Sequence, residues 1–211
     1  MSDRMFEIDY EELQHIVVSV LGIAVAFTIA TTVRNFKFTF DPLVFVIYLV
    51  TVGSGFVLHE LAHKFLAQTY GALATYRSWT TGLALMLITS FFGIVFAAPG
   101  AVYIFSPNLT REQNGKISLV GPLTNIVLAF IFFFVGIGAL SFLLTGVSSE
   151  AIKVILRAGL LGAQVNMWLA FFNMIPIFPL DGSKVFEWNS VVWGVVFFFA
   201  LIMSFGPLFI F

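Results

Sequence analysis

The chain contains no cysteine, so disulfides and thiolate ligands are both excluded, and any metal must be held by imidazole, carboxylate or amide groups. Charge is scarce as well: 10% of the 211 residues are Asp, Glu, Lys or Arg, against about 25% in a soluble domain. There is no long basic run and the formal net charge is -1, which leaves nucleic acid without an electrostatic basis as a partner. Histidine is equally sparse, with three in the chain, at positions 15, 59 and 63. What fills the chain instead is apolar, 60% of it, with a mean hydropathy of +1.02. That composition defines an integral, multi-pass membrane protein whose first partner is the lipid bilayer.

Hydropathy divides the chain into runs. Gln14 to Val33 is long enough for one span, with Arg34, Asn35 and Lys37 closing it at an interface. Pro42 suits the first turn of a second helix running to about Tyr70. Gly71 to Thr81 reads as a short linker, and Gly82 to Ala98 as apolar again. Pro99-Gly100 is a turn signal, and Ala101 to Phe105 a short apolar run before the polar loop Ser106 to Lys116. Ile117 to about Thr145, Gly159 to about Ile175 and Ser190 to Phe211 are further helical runs, separated by the polar connector Gly146 to Arg157 and the loop Pro176 to Asn189. With no internal repeat and no low-complexity linker, residues 1–211 read as a single membrane-embedded domain. The acidic segment Met1 to Leu13 has the wrong sign for the n-region of a signal peptide and is expected to be retained.

Three ionisable residues interrupt the second helix. An ionisable side chain near the bilayer centre costs at least ~2.5–3.5 kcal/mol, so His59, Glu60 and His63 call for a functional partner. His59 and His63 lie one turn apart on one face, as two imidazoles sharing a metal require. Glu60 points roughly 100° round the helix, placed as a general base beside a metal rather than as a ligand. Lys64, next in line, is expected to snorkel to the nearby membrane face, and His15 to sit at an interface rather than ligate.

A catalytic zinc site usually has three protein ligands. Of eleven acidic residues, only Glu60 and Asp181 lie within or against the hydrophobic helices; the other nine are expected to be solvated. Asp181 is therefore the best candidate for the third ligand. Pro176 and Pro179 break the preceding helix and can aim its carboxylate inward, while Gly182 permits a close backbone approach.

HELAH at 59–63, GPLTN at 121–125 and NMIPIFPLDG at 173–182, in that order on successive hydrophobic helices, resemble the site-2 protease family of intramembrane zinc metalloproteases. The resemblance spans Pro42 to about Glu187 and implies one catalytic Zn2+ held by His59, His63 and Asp181. It implies Glu60 as catalytic acid/base and Asn173 as a polar residue near the bound water or substrate carbonyl. Gly121, Pro122 and Asn125 carry over as the motif of the neighbouring core helix. The implied substrate is a transmembrane protein, in the simplest case one with a single span. Nothing in the chain has the length or polarity of the PDZ or CBS domain that many relatives carry. The alternatives are a membrane metal-ion transporter, which needs no general base, and a catalytically silent substrate-binding homologue.

Bringing Asp181 to His59 and His63 requires the second helix, the start of the Ile117 helix and the end of the Gly159 helix to share one membrane face. Both ends of residues 71–116 then lie on that face, so 82–105 is expected to be re-entrant and β-hairpin-like or strand-like, walling the site. The expected fold is α-helical and polytopic, with about five transmembrane helices, the N-terminus on the metal face and the C-terminus opposite. That face carries six basic residues against four on the other, a weak bias that joins the family resemblance in placing the site nearer the cytosol.

Overall fold

The computed structural model describes residues 7–33, 39–96, 98–106, 108–147 and 149–206. In chain order the elements are α1 (Tyr10–Thr32), α2 (Pro42–Thr69), β1 (Leu73–Ser78), α3 (Thr80–Ser90), β2 (Gly100–Phe105), α4 (Arg111–Leu144), α5 (Glu150–Asn173), α6 (Asp181–Trp188) and α7 (Ser190–Phe205). Helix starts are written into the sequence. Asp9 accepts the Glu12 amide at the head of α1, and Asp41 takes the amides of Leu43 and Val44 just before Pro42. Thr110 and Gln113 form a reciprocal capping box on α4. Helices α1, α2, α4 and α5 are long and apolar enough to cross a membrane. The described part of the last apolar run is α7, with 16 residues. Arg34, Asn35 and Lys37, the first six residues, and the end of that last run lie outside the described residues.

The long helices alternate in direction. At one end the start of α1 meets the end of α2 through Glu12 and Lys64, and the start of α4 meets it through Ile117 and His63. At the opposite end Arg157, near the start of α5, lies 3.7 Å from Asp41 at the head of α2. The main apolar core runs between α1, α2 and α5 and takes in the hairpin through Tyr76 and Val102.

β1 and β2 pair antiparallel, Tyr76 opposite Val102, so residues 71–116 leave and return at the same end of the bundle, as ligand closure requires. The composition of that excursion differs from expectation. The supposed linker contains β1, where Ala74 and Tyr76 are buried on one face. The following apolar stretch is not strand-like: Thr80–Ser90 is helix α3. Leu83, Met86 and Leu87 form a helical stripe that joins the core, and Leu83 and Met86 lie against Gly22 of α1. The polar connector after α4 is likewise shorter than expected, because Ser149 caps α5 at Glu150, and the loop before α7 contains the short helix α6.

Candidate metal centre

The last turns of α2 carry His59, Glu60 and His63, and Asp181 opens α6, which follows the break at residues 174–180. Gly182 is required there, since a Cβ would stand 2.2 Å from the Met174 carbonyl oxygen. His59 Nε2 and His63 Nε2 are 3.0 Å apart, and Asp181 Oδ2 lies 3.3 and 3.0 Å from them. All three residues are buried and form the one such metal-capable group among the described residues.

Hydrogen bonding fixes which ring nitrogens face this point. His63 Nδ1 is 2.6 Å from the Ile117 carbonyl, which can only accept, so Nδ1 carries the proton. His59 Nδ1 is 2.6 Å from Asn125 Oδ1. Asn125 cannot flip, because its Nδ2 donates to the Gly55 carbonyl and to Asn166 Oδ1, each at 3.1 Å. Asn166 is oriented in turn by donating to the carbonyls of Thr51 and Gly162. Both Nε2 atoms consequently present lone pairs to each other and to a carboxylate oxygen. Three acceptors at this spacing repel unless a cation stands among them. Two ligands ~2.1 Å from a tetrahedral zinc lie ~3.4 Å apart, close to what is seen, and the outer hydrogen bonds are those that orient zinc-binding imidazoles. The residues fit a zinc ion.

Small residues make room for this geometry. A Cβ on Gly121 would stand 2.5 Å from the His63 ring and 2.6 Å from His59 Nε2, and one on Gly55 would stand 2.2 Å from Asn166 Oδ1. Asp181 is buried with its Oδ2 turned to both imidazoles. Lys184 Nζ lies 3.8 Å from its other oxygen.

Glu60 is buried beside the ligands, and its Oε2 has no hydrogen-bond partner among the described residues. The backbone amide of Val102 in β2 approaches its carboxylate. Tyr76, opposite Val102, pairs its hydroxyl with Ser19 Oγ at 2.7 Å; burial, then the Glu60 charge, raises its phenol well above the ordinary range. Asn173, the last residue of α5, donates to the Leu169 carbonyl at 3.0 Å, and no described hydrogen bond joins it to the metal group.

Two polar residues behave differently from expectation. Lys64 does not snorkel and Glu12 is not solvated: their side chains are 2% exposed and joined at 2.6 Å, because α1 packs its first turns against the end of α2. Asn166 was visible as an amide in an apolar helix, which itself asks for a partner, but sequence does not show that it faces Asn125. His15 bonds Ser78 of β1 rather than joining the metal group.

A membrane-embedded helical bundle with a buried His-His-Asp centre and an adjacent glutamate defines a class, zinc metalloproteases of the membrane. The comparisons agree. The chain is 42% identical over 193 residues, 91% of its length and 92% of the relative's, to the "Putative zinc metalloprotease MJ0611" of Methanocaldococcus jannaschii. It is 28% identical over 167 residues, 72% of its length and 73% of the relative's, to the "Putative zinc metalloprotease YwhC" of Bacillus subtilis. It is 33% identical over 127 residues to the "Putative zinc metalloprotease Rip3" of Mycobacterium tuberculosis, covering 60% of this chain and 26% of that one. No protein-family model matches, and no solved structure matches. The chain belongs to the site-2 protease-like family of zinc metalloproteases.

Proposed function

We propose that the protein is an intramembrane zinc metalloendopeptidase that hydrolyses peptide bonds within or near transmembrane segments of membrane-protein substrates. The observation that carries this reading is the Glu60 carboxylate, buried beside the His-His-Asp centre and the Val102 amide of β2, with one oxygen unpartnered among the described residues. A metal-ion pathway needs no general base beside its ligands. The zinc, when bound, supplies Lewis-acid polarisation of the scissile carbonyl and of water. His59, His63 and Asp181 would hold it, with Asn125 and the Ile117 carbonyl keeping both Nε2 atoms turned to that point. Glu60 accepts the proton of the attacking water and passes it to the leaving amine. Asn173, at the end of α5, hydrogen-bonds the substrate carbonyl once its side chain turns from Leu169.

The hairpin supplies the substrate track. Tyr76 and Ser78 direct their amides away from β2, so Tyr76–Val102, Ser78–Gly100 and, by alternation, Ala74–Ile104 are the non-hydrogen-bonded pairs of the ladder. Gly100, Val102 and Ile104 then direct their amides to the opposite edge, the edge that Glu60 faces. An unwound substrate strand adds there, at β2. The single domain crosses the membrane about five times, with α7 as the fifth crossing and the centre nearer the cytosolic face.

The decisive experiment measures zinc content and cleavage of a single-span model substrate for wild type and Glu60→Gln side by side. The variant is expected to keep one zinc and lose about 10²–10⁴ in turnover. Equal turnover, or none in zinc-loaded wild type, would refute the reading.

A further inference from the structure

Resting on the protease reading, we propose that Glu12 of α1 is a positioning residue for the reaction. It holds β1 by the Tyr76 amide so that the far edge of the hairpin faces Glu60.

The starting observation is a match between two strand amides and two side chains of one helix. Tyr76 N–H donates to Glu12 Oε1 at 2.9 Å, and Ser78 N–H donates to His15 Nδ1 at 3.3 Å. Residues 76 and 78 share one strand edge, and residues 12 and 15 share one helix face. Helix α1 therefore occupies the place of a third strand and closes that edge, leaving β2 as the edge open to a peptide. Unpaired strand amides left in a two-stranded sheet would otherwise offer two competing docking edges.

The second oxygen of Glu12 accepts from Lys64 Nζ at 2.6 Å, and Lys64 also donates to the Glu7 carbonyl at 2.7 Å. Lys64 directly follows His63. One buried carboxylate thus ties α1, β1 and the metal-bearing turn of α2 together, and sliding the hairpin along α2 breaks a charge-assisted bond out of contact with water. A buried ion pair can often be exchanged for apolar residues with little loss of stability. An acceptor for the Tyr76 amide cannot be exchanged in that way, because the amide is left buried and unpaired.

This difference supplies the test. The variants Glu12→Gln/Lys64→Met and Glu12→Leu/Lys64→Met both remove the two charges, but only the first keeps an acceptor for Tyr76. Zinc content, steady-state cleavage of the single-span substrate and amide hydrogen exchange over Leu73–Ser78 are measured for both and for wild type. Both variants are expected to bind one zinc with kcat within about twofold of wild type. The glutamine variant keeps the wild-type KM, whereas the leucine variant raises KM about tenfold, the scale of one unsatisfied buried donor. Exchange over β1 quickens about tenfold in the leucine variant alone. Equal KM and equal exchange in the two variants overturn the proposal, as does loss of zinc from the leucine variant. If wild type releases no product, the protease reading fails by itself, and the exchange comparison still decides whether Glu12 holds the hairpin.

Discussion

Replacing Gly121 by alanine tests the metal centre at its tightest point. The added Cβ would stand 2.5 Å from His63 Cε1 and Nε2 and 2.6 Å from His59 Nε2, where ordinary contact between such atoms is about 3.5 Å. Roughly 1 Å must be found. The rings cannot simply swing, because His63 is bonded to the Ile117 carbonyl and His59 to Asn125, both on the helix that carries the intruding methyl. Either α4 retreats from α2 and stretches both bonds, or a ring turns and loses its partner. Overpacking of this kind costs about 1–3 kcal/mol, and a misoriented imidazole loses about 10–100-fold in metal affinity. The assay is zinc affinity by chelator competition on detergent-solubilised protein, with thermal melting alongside. Gly138→Ala on the same helix is the control, since its Cβ would meet no atom within 4 Å. That control should bind zinc as wild type does and gain up to ~1 kcal/mol from helix propensity. Wild-type zinc affinity in Gly121→Ala would refute the reasoning, and equal losses in both variants would show that α4 resists any added methyl.

Two further outcomes follow from the same geometry. Stripping zinc leaves three acceptors converging without a cation, so the melting temperature should fall; zinc at a thousandfold over its Kd is worth about 4 kcal/mol, and an unchanged melting temperature would count against the centre. Asn166→Leu removes the acceptor that prevents Asn125 from flipping, and zinc affinity should drop about tenfold although residue 166 is no ligand; equal affinity would show that Gly55 alone orients Asn125.

The metal group was legible in the sequence because ionisable residues are expensive inside apolar helices, which leaves few candidates. His59 and His63 declare themselves by spacing, Asp181 by elimination, and their closure dictates that residues 71–116 return to the end they left. The same reasoning cannot name the elements of that return. β1 has six residues and includes Arg77, too short and too polar for its alternation to stand out, whereas the uniformly apolar stretch after it hides a helical stripe at Leu83, Met86 and Leu87. Nor can it pair Glu12 with Lys64. Each is, by itself, an ordinary charge near the end of a hydrophobic run, and only the packing of α1 beside α2 takes both out of water.

The arrangement closes on itself in a way that bears on how a peptide would be cut. From Glu60 on α2 the contacts run to the Val102 amide on β2, across the sheet to Tyr76 on β1, to Glu12 on α1, and through Lys64 back to α2. The circuit starts and ends within about one helical turn, a rise of roughly 6 Å, so the hairpin cannot drift from the metal helix without opening one of its contacts. Tyr76 and Val102 form a non-hydrogen-bonded pair, so Glu12 and Glu60 sit on opposite outer edges at the same level of the sheet. On the protease reading, a strand added to β2 finds the amides of Gly100 and Ile104 on either side of Glu60, while the amide of Val102 lies close to its carboxylate. The peptide bond that comes level with Val102 therefore lies against the general base, and the sheet register selects the bond as well as binding the chain.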